Sequence, residues 1–395
     1  MEMARHGATA AGGVNRQALS AEDVEAQKTL LAWGAALGLV AATDEAGNLF
    51  LRLVGSDPQA AAVMTGSHMD SQPTGGKFDG IYGVLAGLEA MQAIRAAGIV
   101  PRRSIELVAW MNEEGSRFAP GMMGSCVFSG ASTLESILAV TDARGISVRQ
   151  GLDEVRAALP GLPVWPLKRP VHAYIETHIE QGPILERESR TIGVVTGIQG
   201  KRTFSVSVQG EEAHAGTSRR AERKDALMAA LRVVQALSVL CDDAEDLVKF
   251  TVGRFRVLPN APSVVPAQVE FSIDLRHPDS SILQALGDQI QGLCERNAGP
   301  CGATVRELST AMSLEFPQAI RTLIAEAAQK QSISCMDILS SAGHDARYMH
   351  TVCASGMIFI PCAGGISHNE AESVTASDMA CGARVLVETL LLLAD

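Results

Sequence analysis

Hydrophobic positions in the first half of the chain switch between helical and strand spacing. Apolar residues recur at helical intervals over 26–39 and 81–99, which predicts two helices, and short helices fit between about 120 and 158. Short apolar runs predict strands at 48–54, 62–65, 105–111 and 172–179. Helices and strands that alternate in this way predict an α/β layered domain.

The pattern changes near Gly200. Residues 203–209 alternate strictly, with Phe204, Val206 and Val208 on one face, which is typical of a strand with one buried side. The elements predicted next are a helix at 221–240, strands at 247–258 and 267–276, a helix at 281–294 and a strand at 303–308. This β-α-β-β-α-β order is the split-βαβ pattern of a ferredoxin-like domain.

Helix and strand spacing resumes after this segment. The pattern predicts a helix at 317–331, a strand at 357–360 and a final helix from about Ala376. We therefore predict an α/β protein of two domains. One is an α/β domain formed by 1–199 and 315–395, and the other is a ferredoxin-like α+β domain inserted at 200–314.

Composition narrows the class of protein. Hydrophobic residues make up 47% of the 395 residues and charged residues 19%, which is enough apolar material for a buried core. The 33 Lys and Arg against 44 Asp and Glu give a net charge of −11, which argues against a nucleic-acid partner. We see neither an apolar run of membrane length nor a secretion signal, so we expect a cytoplasmic protein with no membrane partner. The eight scattered cysteines are expected to be reduced thiols.

Residue types that bind metals cluster beside the predicted strand ends. The clusters lie at 66–70, 75–80, 112–115, 176–182 and 365–370. For a single cluster standing alone, a capped loop histidine or a solvated carboxylate pair would be the better explanation. Together they supply a mixed nitrogen and oxygen set that suits Zn, Mn, Co or Ni better than Mg or Ca. The set consists of His68, Asp79, Glu114, His178 and His368.

Longer stretches around these residues resemble the M20-type metallohydrolases, and among them the branch of N-carbamoyl-L-amino acid hydrolases, β-ureidopropionases and allantoate amidohydrolases. The similarity runs from about Gly13 to the C-terminus. The stretches that carry it are Gly66-Ser67-His68-Met69-Asp70, Gly76-Lys77-Phe78-Asp79-Gly80, Asn112-Glu113-Glu114-Gly115-Ser116-Arg117-Phe118, Glu176-Thr177-His178-Ile179-Glu180-Gln181-Gly182, Gly343-His344-Asp345-Ala346 and Gly365-Ile366-Ser367-His368. The family fold is a catalytic α/β domain interrupted by a smaller dimerisation or lid domain, which agrees with the predicted elements.

The resemblance implies a pair of divalent metal ions bridged by Asp79. In the family pattern His68 and His178 complete one metal site, and Glu114 and His368 complete the other. Two such ions lower the pKa of water and stabilise the charge that develops on an oxygen.

The resemblance also implies roles for residues around the metals. Glu113 matches the general base, and Asp70 matches the residue that orients His68. His214 matches a lid-domain histidine that stabilises the oxyanion, typically in the partner subunit. Arg276, which a solvated strand face would equally explain, matches the arginine that binds the substrate carboxylate.

Further substrate contacts follow from the same resemblance. Gln181 matches a polar contact to the ureido end, while Gly343 and His344 lie in a family loop near the active site for which a purely structural role is equally open. Ser263 stands where the family usually has Asn thirteen residues before the arginine, and Asn260 could replace that amide. The family proline after the last histidine is also replaced, here by Asn369-Glu370.

The sequence thus predicts a dinuclear-metal amidohydrolase that converts N-carbamoyl-L-amino acids to the free amino acid, CO2 and ammonia. Within the branch, β-ureidopropionase and allantoate or ureidoglycolate amidohydrolase activities remain alternatives, although residues 72–80 look most like the carbamoylases. An M20 aminopeptidase or N-acyl-amino acid hydrolase is more distant, because the motif at 176–182 carries His rather than an acidic ligand. A non-enzymatic scaffold is the remaining alternative. We expect a homodimer formed through the inserted domain, acting on a small ureido carboxylate.

Overall fold

The computed structural model describes residues 1–395, and the chain divides into two compact units. The first unit comprises Met1–Gly197 and Glu315–Asp395, and the inserted unit comprises Ile198–Leu314. A large mixed sheet and a separate antiparallel sheet, the latter formed within the inserted segment, confirm the predicted α/β class.

The elements follow one another closely along the chain. The strands are β1 (Val40–Thr43), β2 (Leu49–Leu53), β3 (Ala62–His68), β4 (Ile105–Trp110), β5 (Val171–Ile179), β6 (Ile192–Ile198), β7 (Gly200–Gln209), β8 (Ala213–His214), β9 (Lys249–Thr251), β10 (Phe255–Leu258), β11 (Val264–Val265), β12 (Gln268–His277), β13 (Gly302–Ala311), β14 (Leu314–Glu315), β15 (Cys335–Ser340) and β16 (Ala354–Ile360). The helices are α1 (Ala21–Ala36), α2 (Ile81–Ala96), α3 (Met123–Ser129), α4 (Leu134–Leu138), α5 (Val148–Ala158), α6 (Ile184–Arg187), α7 (Ala226–Leu240), α8 (Ser280–Ala298), α9 (Gln318–Lys330), α10 (Ala346–Met349) and α11 (Ala376–Ala394), with short 3-10 turns at Met3–Arg5, Arg220–Glu222 and Ala363–Gly365.

The large sheet has the strand order β1-β2-β4-β3-β5-β16-β6-β14, and β15 also pairs with β6. Its four central strands, β4, β3, β5 and β16, are parallel to one another. Parallel strands bring all their carboxyl ends to one edge, where α/β sheets commonly bind ligands. The loops that follow these four strands therefore meet at a single edge.

The core of the first unit explains why these strands are so apolar. Ile105, Leu107 and Ala109 of β4 lie in the main hydrophobic cluster, together with apolar residues of α1, α2, α9 and α11. Because successive strand residues point to opposite faces, Glu106 and Trp110 lie on the other side of the sheet. Trp110 packs there against Phe128 of α3 with ring centroids 5.3 Å apart. Both faces of the sheet are covered, so the edge where the four loops meet is supported by packing on each side.

The inserted unit has its own core. Its sheet has the order β10-β12-β7-β13, and β9 also pairs with β12. The alternation predicted at 203–209 is confirmed, since Phe204, Val206 and Val208 are buried against α7 and α8. A separate two-stranded ribbon is formed by β8 and β11.

Several boundaries differ from the sequence prediction. The strand predicted at 247–258 is two short strands, β9 and β10, which are separated around Gly253. The helix predicted from residue 26 begins at Ala21, because the Ser20 side chain accepts the Asp23 amide as an N-cap. The helix predicted at 221–240 begins at Ala226, where the Asp225 side chain caps it. None of the helices is long and apolar enough to span a bilayer.

Candidate metal centre and active site

The predicted metal ligands gather at the carboxyl edge of the parallel strands. His68 is the last residue of β3, Glu114 follows the end of β4, and His178 lies next to the end of β5. His368 lies in the loop after β16, and Asp79 lies two residues before the start of α2. Five residues spread over 300 positions of sequence are thus brought to one place by the strand order.

Asp79 lies at the centre of two groups of ligand atoms. Its Oδ1 is 3.2 Å from Nε2 of His178 and 3.8 Å from Nε2 of His68. Its Oδ2 is 3.2 Å from Nε2 of His368, which in turn is 3.3 Å from Oε2 of Glu114. We call His68, Asp79 and His178 the inner triad, and Asp79, Glu114 and His368 the outer triad. Within each triad the ligand atoms lie within 4.8 Å of one another.

The histidines are held in orientations that suit a metal. Nδ1 of His68 lies 2.9 Å from the main-chain carbonyl of Asp70, and Nδ1 of His178 lies 2.9 Å from that of Ile179. A carbonyl partner keeps the proton on Nδ1 and leaves Nε2 free to bind a metal. In both rings Nε2 faces Asp79. The mixed nitrogen and carboxylate donors of both triads therefore fit divalent transition-metal ions.

The carboxylates of the site stabilise positive charge on the neighbouring histidines. Burial lowers the pKa of His178, but its hydrogen bond to Asp79 outweighs this and raises the pKa to about 9. Asp79 and Glu114 raise the pKa of His368 to about 10. Although burial raises the pKa of Asp79, the two histidines lower it well below its usual value. The same carboxylates that stabilise these imidazolium charges would stabilise bound cations.

Asp70 organises the loop that carries the two glutamates. Its Oδ1 accepts the main-chain N–H of Glu113, and its Oδ2 accepts that of Glu114, each at 3.1 Å. The Asp70 carboxylate lies 3.7 Å from Nδ1 of His68, so the close contact to that ring comes from the Asp70 carbonyl instead. Asp70 thus links the β3 loop to the β4 loop.

Glu113 has the surroundings of a proton acceptor. Its Oε2 lies 3.5 Å from Nε2 of His68. Burial, followed by the nearby charges of Asp345 and Glu114, raises its pKa well above the usual value. A carboxyl group with a raised pKa can take up a proton near neutral pH and release it again.

Two further sequence-predicted residues of the first unit lie beside the ligands. Nε2 of Gln181 donates to Oδ2 of Asp79 at 3.0 Å and to Oγ of Ser367 at 3.2 Å. Its Oε1 is buried with no hydrogen-bond partner. The His344 ring packs edge-on against His178 with centroids 4.5 Å apart, and its Nε2 lies 3.0 Å from Oγ of Ser340. Gly343 immediately precedes it in the same loop.

The other predicted substrate residues belong to the inserted unit. His214 in β8 pairs with Val264 of β11, directly after Ser263, whose carbonyl accepts the Ala215 amide at 3.1 Å. Nδ1 of His214 accepts the amides of Gly216 and Thr217 at 3.0 and 3.2 Å. These contacts use Nδ1 of His214, so Nε2 can bind a different partner.

Arg276 and Asn260 lie elsewhere in the inserted unit. Arg276, in β12, binds both carboxylate oxygens of Asp274, with Nε 2.8 Å from Oδ1 and Nη2 3.2 Å from Oδ2. Asn260 has a left-handed backbone with φ of 60°. The structure therefore brings His214 and Ser263 close together within this unit, whereas Arg276 has a carboxylate partner of its own.

Sequence reasoning missed several residues that support the ligands. Nε2 of Gln72 donates to Oε2 of Glu114 at 2.7 Å. Glu372 accepts the main-chain N–H of Asp79, and burial raises its pKa to about 7. Asp345 is fully buried and hydrogen-bonded to Ser125. The only available signal was the position of these residues within or next to the motifs, since no local pattern reveals contacts over such sequence separations.

Comparison with known proteins identifies the family. The model of peptidase family M20/M25/M40 matches residues 64–392. An N-carbamoyl-L-amino-acid amidohydrolase of Rhizobium meliloti is 39% identical over 99% of this chain and 94% of its own length. An allantoate amidohydrolase of Bacillus subtilis is 33% identical over 99% of this chain and 95% of its own.

A solved structure supports the same family assignment. A crystal structure of an amidase of the hydantoinase/carbamoylase family from Burkholderia multivorans has a TM-score of 0.90 and 42% identity, covering 100% of this chain and 96% of that chain. The likeness extends over both units in sequence and fold. The chain therefore belongs to the M20 peptidase family, in its hydantoinase/carbamoylase branch, and is an EC 3.5.1-type amidohydrolase of the carbamoylase family.

Proposed function

We propose that the protein hydrolyses the ureido group of N-carbamoyl-L-amino acids, consuming water and forming the free amino acid, CO2 and ammonia. The observation that supports this most directly is the sharing of Asp79 by two triads with Glu113 beside them. The 39% identical amidohydrolase of Rhizobium meliloti, whose name specifies N-carbamoyl-L-amino acids, supports the choice of substrate.

The two triads would hold two divalent ions, of Zn, Mn, Co or Ni. His68 and His178 belong to one site and Glu114 and His368 to the other, with Asp79 common to both. Bound there, the ions supply Lewis acidity that activates water and offsets the negative charge formed at the ureido carbonyl.

Glu113 moves the proton in this proposal. It takes a proton from the attacking water and delivers it to the nitrogen that leaves, so that ammonia departs as a neutral molecule. The N-carboxy amino acid that remains then loses CO2, its own proton moving to nitrogen, to give the free amino acid. The raised pKa of Glu113 suits both halves of this transfer. Asp70 keeps Glu113 in place by accepting its main-chain N–H.

Several polar residues would recognise the substrate in this proposal. In the first unit the unpaired, buried Oε1 of Gln181 accepts an N–H of the ureido group, because its Nε2 is already used by Asp79. In the inserted unit Arg276 binds the substrate carboxylate, exchanging part of its contact with Asp274. His214 stabilises the oxyanion, and Ser263, with Asn260 nearby in sequence, supplies a polar contact. Gly343 and His344 contribute through their loop, which holds the His344 ring against His178.

Allantoate is the second candidate substrate. The specific support is the allantoate amidohydrolase of Bacillus subtilis, which is 33% identical over nearly the whole chain. Allantoate also presents a ureido group beside a carboxylate, so the same residues would bind it.

A homodimer through the inserted unit is part of the proposal. In α7, Met228, Leu231 and Val239 are 50%, 48% and 67% exposed, which is unusual for large apolar side chains. An exposed apolar stripe of this kind is suited to cover by a second copy. Sedimentation velocity at micromolar concentration tests this, and a purely monomeric species would refute it.

Ammonia release tests the proposed activity. Metal-stripped protein receives Mn, Co, Ni or Zn singly and is assayed with N-carbamoyl-L- and D-amino acids, N-carbamoyl-β-alanine, allantoate, N-acetyl amino acids and a dipeptide. We expect metal-dependent turnover that is fastest with an N-carbamoyl-L-amino acid. Fastest turnover of allantoate would select the second candidate, and cleavage of acyl or peptide substrates alone would refute both.

A further inference from the structure

Glu372 is a buried carboxylate that belongs to neither triad. It is 5% exposed and lies in the loop that carries His368. Its Oε1 accepts the main-chain N–H groups of Phe78 and Asp79 at 2.8 and 3.0 Å. The loop after β16 is thereby hydrogen-bonded directly to the backbone of the residue that both triads share.

The second oxygen of Glu372 extends the same connection. Oγ of Ser367 lies 3.1 Å from Oε2 of Glu372 and 3.2 Å from Oδ2 of Asp79. The packing is tight as well, since a Cβ atom on Gly76 would lie 2.1 Å from Cδ of Glu372. Glu372 therefore contacts the Asp79 loop directly through Oε1 and its carbon atoms, and Oε2 reaches Asp79 through Ser367.

His368 depends on hydrogen bonds of its loop for its position, because its side chain is only half-buried. Its side chain is 50% exposed, and its backbone adopts a left-handed conformation with φ of 52°. A non-glycine residue in that region costs about 1–3 kcal/mol, which the surrounding contacts must offset. The turn formed by Asn369, whose carbonyl accepts the Glu372 amide at 3.0 Å, transmits the Glu372 anchor back to His368.

We propose that Glu372 is a positioning residue that fixes the His368 loop against Asp79 and so sets the affinity of the outer triad for its metal ion. The inference rests on the metal centre of the proposed function. Hydrogen-bond partners behind metal ligands typically change metal affinity by about 10- to 100-fold when removed. The inner triad shares Asp79 but takes His68 and His178 from β3 and β5, which Glu372 does not contact, so its affinity is expected to fall less than that of the outer triad.

The test titrates metal-stripped protein with Mn²⁺ alone in a calorimeter. Wild type is expected to bind two equivalents. Glu372→Ala is expected to bind one equivalent about 10- to 100-fold more weakly, with a clearly smaller loss for the other. Glu372→Gln should recover most of the loss, because its amide oxygen still accepts from Phe78 and Asp79. Glu370→Ala is the matched control, since this carboxylate of the same loop contacts Thr9 instead.

A second variant covers the case in which Glu372→Ala does not fold, which thermal unfolding of the metal-free protein would reveal. In Gly76→Ala the added methyl group would displace the Glu372 carboxylate from the Asp79 loop. This variant should therefore also weaken metal binding at the outer triad. Two equivalents bound by Glu372→Ala with wild-type affinities would overturn the inference while leaving the metal centre intact. So would equal losses in Glu372→Ala and Glu370→Ala, which would indicate general damage to the loop. Failure of wild type itself to bind Mn²⁺ would reject the metal centre, and the inference with it.

Discussion

Replacing Gly80 by alanine should displace His68 from the inner triad. A Cβ atom at Gly80 would lie 2.2 Å from Cε1 and 2.3 Å from Nε2 of His68, whereas ordinary contacts begin at 3.4 Å. The ring must therefore move by about 1 Å, far more than the tolerance of about 0.2 Å for metal–ligand distances. A displacement of about 1 Å at a reacting centre costs roughly 100-fold in rate. We expect Gly80→Ala to lower kcat about 100-fold in the ammonia assay.

The control for this prediction lies beyond the other end of α2. Gly98 has φ of +70°, close to the +66° of Gly80, but its added Cβ would meet no atom within 4 Å. Both alanine variants therefore pay a backbone cost of at least about 1–2 kcal/mol, and only Gly80→Ala disturbs His68. Measuring kcat beside the unfolding free energy separates the two effects. If Gly80→Ala kept a kcat within threefold of Gly98→Ala, the reasoning about the His68 ring would be refuted.

Three further predictions address proton transfer, specificity and pH. Glu113→Gln should lower kcat by about 100- to 10,000-fold while two Mn²⁺ equivalents still bind, and retained turnover would exclude Glu113 as the base. Ser263→Asn should lower KM for N-carbamoyl-L-amino acids about tenfold, the effect of one hydrogen bond to a charged group, with an unchanged KM counting against a contact there. Burial raises the pKa of Asp44 from 3.8 to about 6, so the stability present below pH 3.8 is lost as the pH rises through 6. Between pH 4 and 7 wild type should lose about 2.4 kcal/mol more unfolding free energy than Asp44→Asn, and parallel urea-unfolding profiles would contradict this.

Much of the fold was predictable because strands and helices with one buried face leave a periodic pattern. Phe204, Val206 and Val208 are buried as their alternation predicts. Strands β6 and β15 escaped prediction because glycine, threonine and charged residues interrupt their apolar pattern, as in Gly193 and Asp337. Their pairing within the large sheet supplies the stability that local propensity lacks.

The grouping of the five candidate metal ligands could be predicted because each lies in a motif beside a strand end. The residues that support them were not, because their contacts join distant parts of the chain. Glu372 and Asp79 are 293 positions apart, and Gln72 and Glu114 are 42 apart. Nothing in the neighbourhood of either residue distinguishes a buried hydrogen-bonding partner from a solvated surface residue. Only the folded strand order reveals these pairs.

The position of β16 has a consequence for the order in which the chain is made. It lies between β5 and β6 in the sheet, although β5 and β6 precede it by more than 150 residues. During synthesis the earlier strands emerge first, and domains fold largely in that order. Any early pairing between β5 and β6 must therefore be absent or undone when β16 enters the sheet. Since His368 follows β16 in the chain, the outer triad can form only after this late strand is in place, whereas the residues of the inner triad all precede β16.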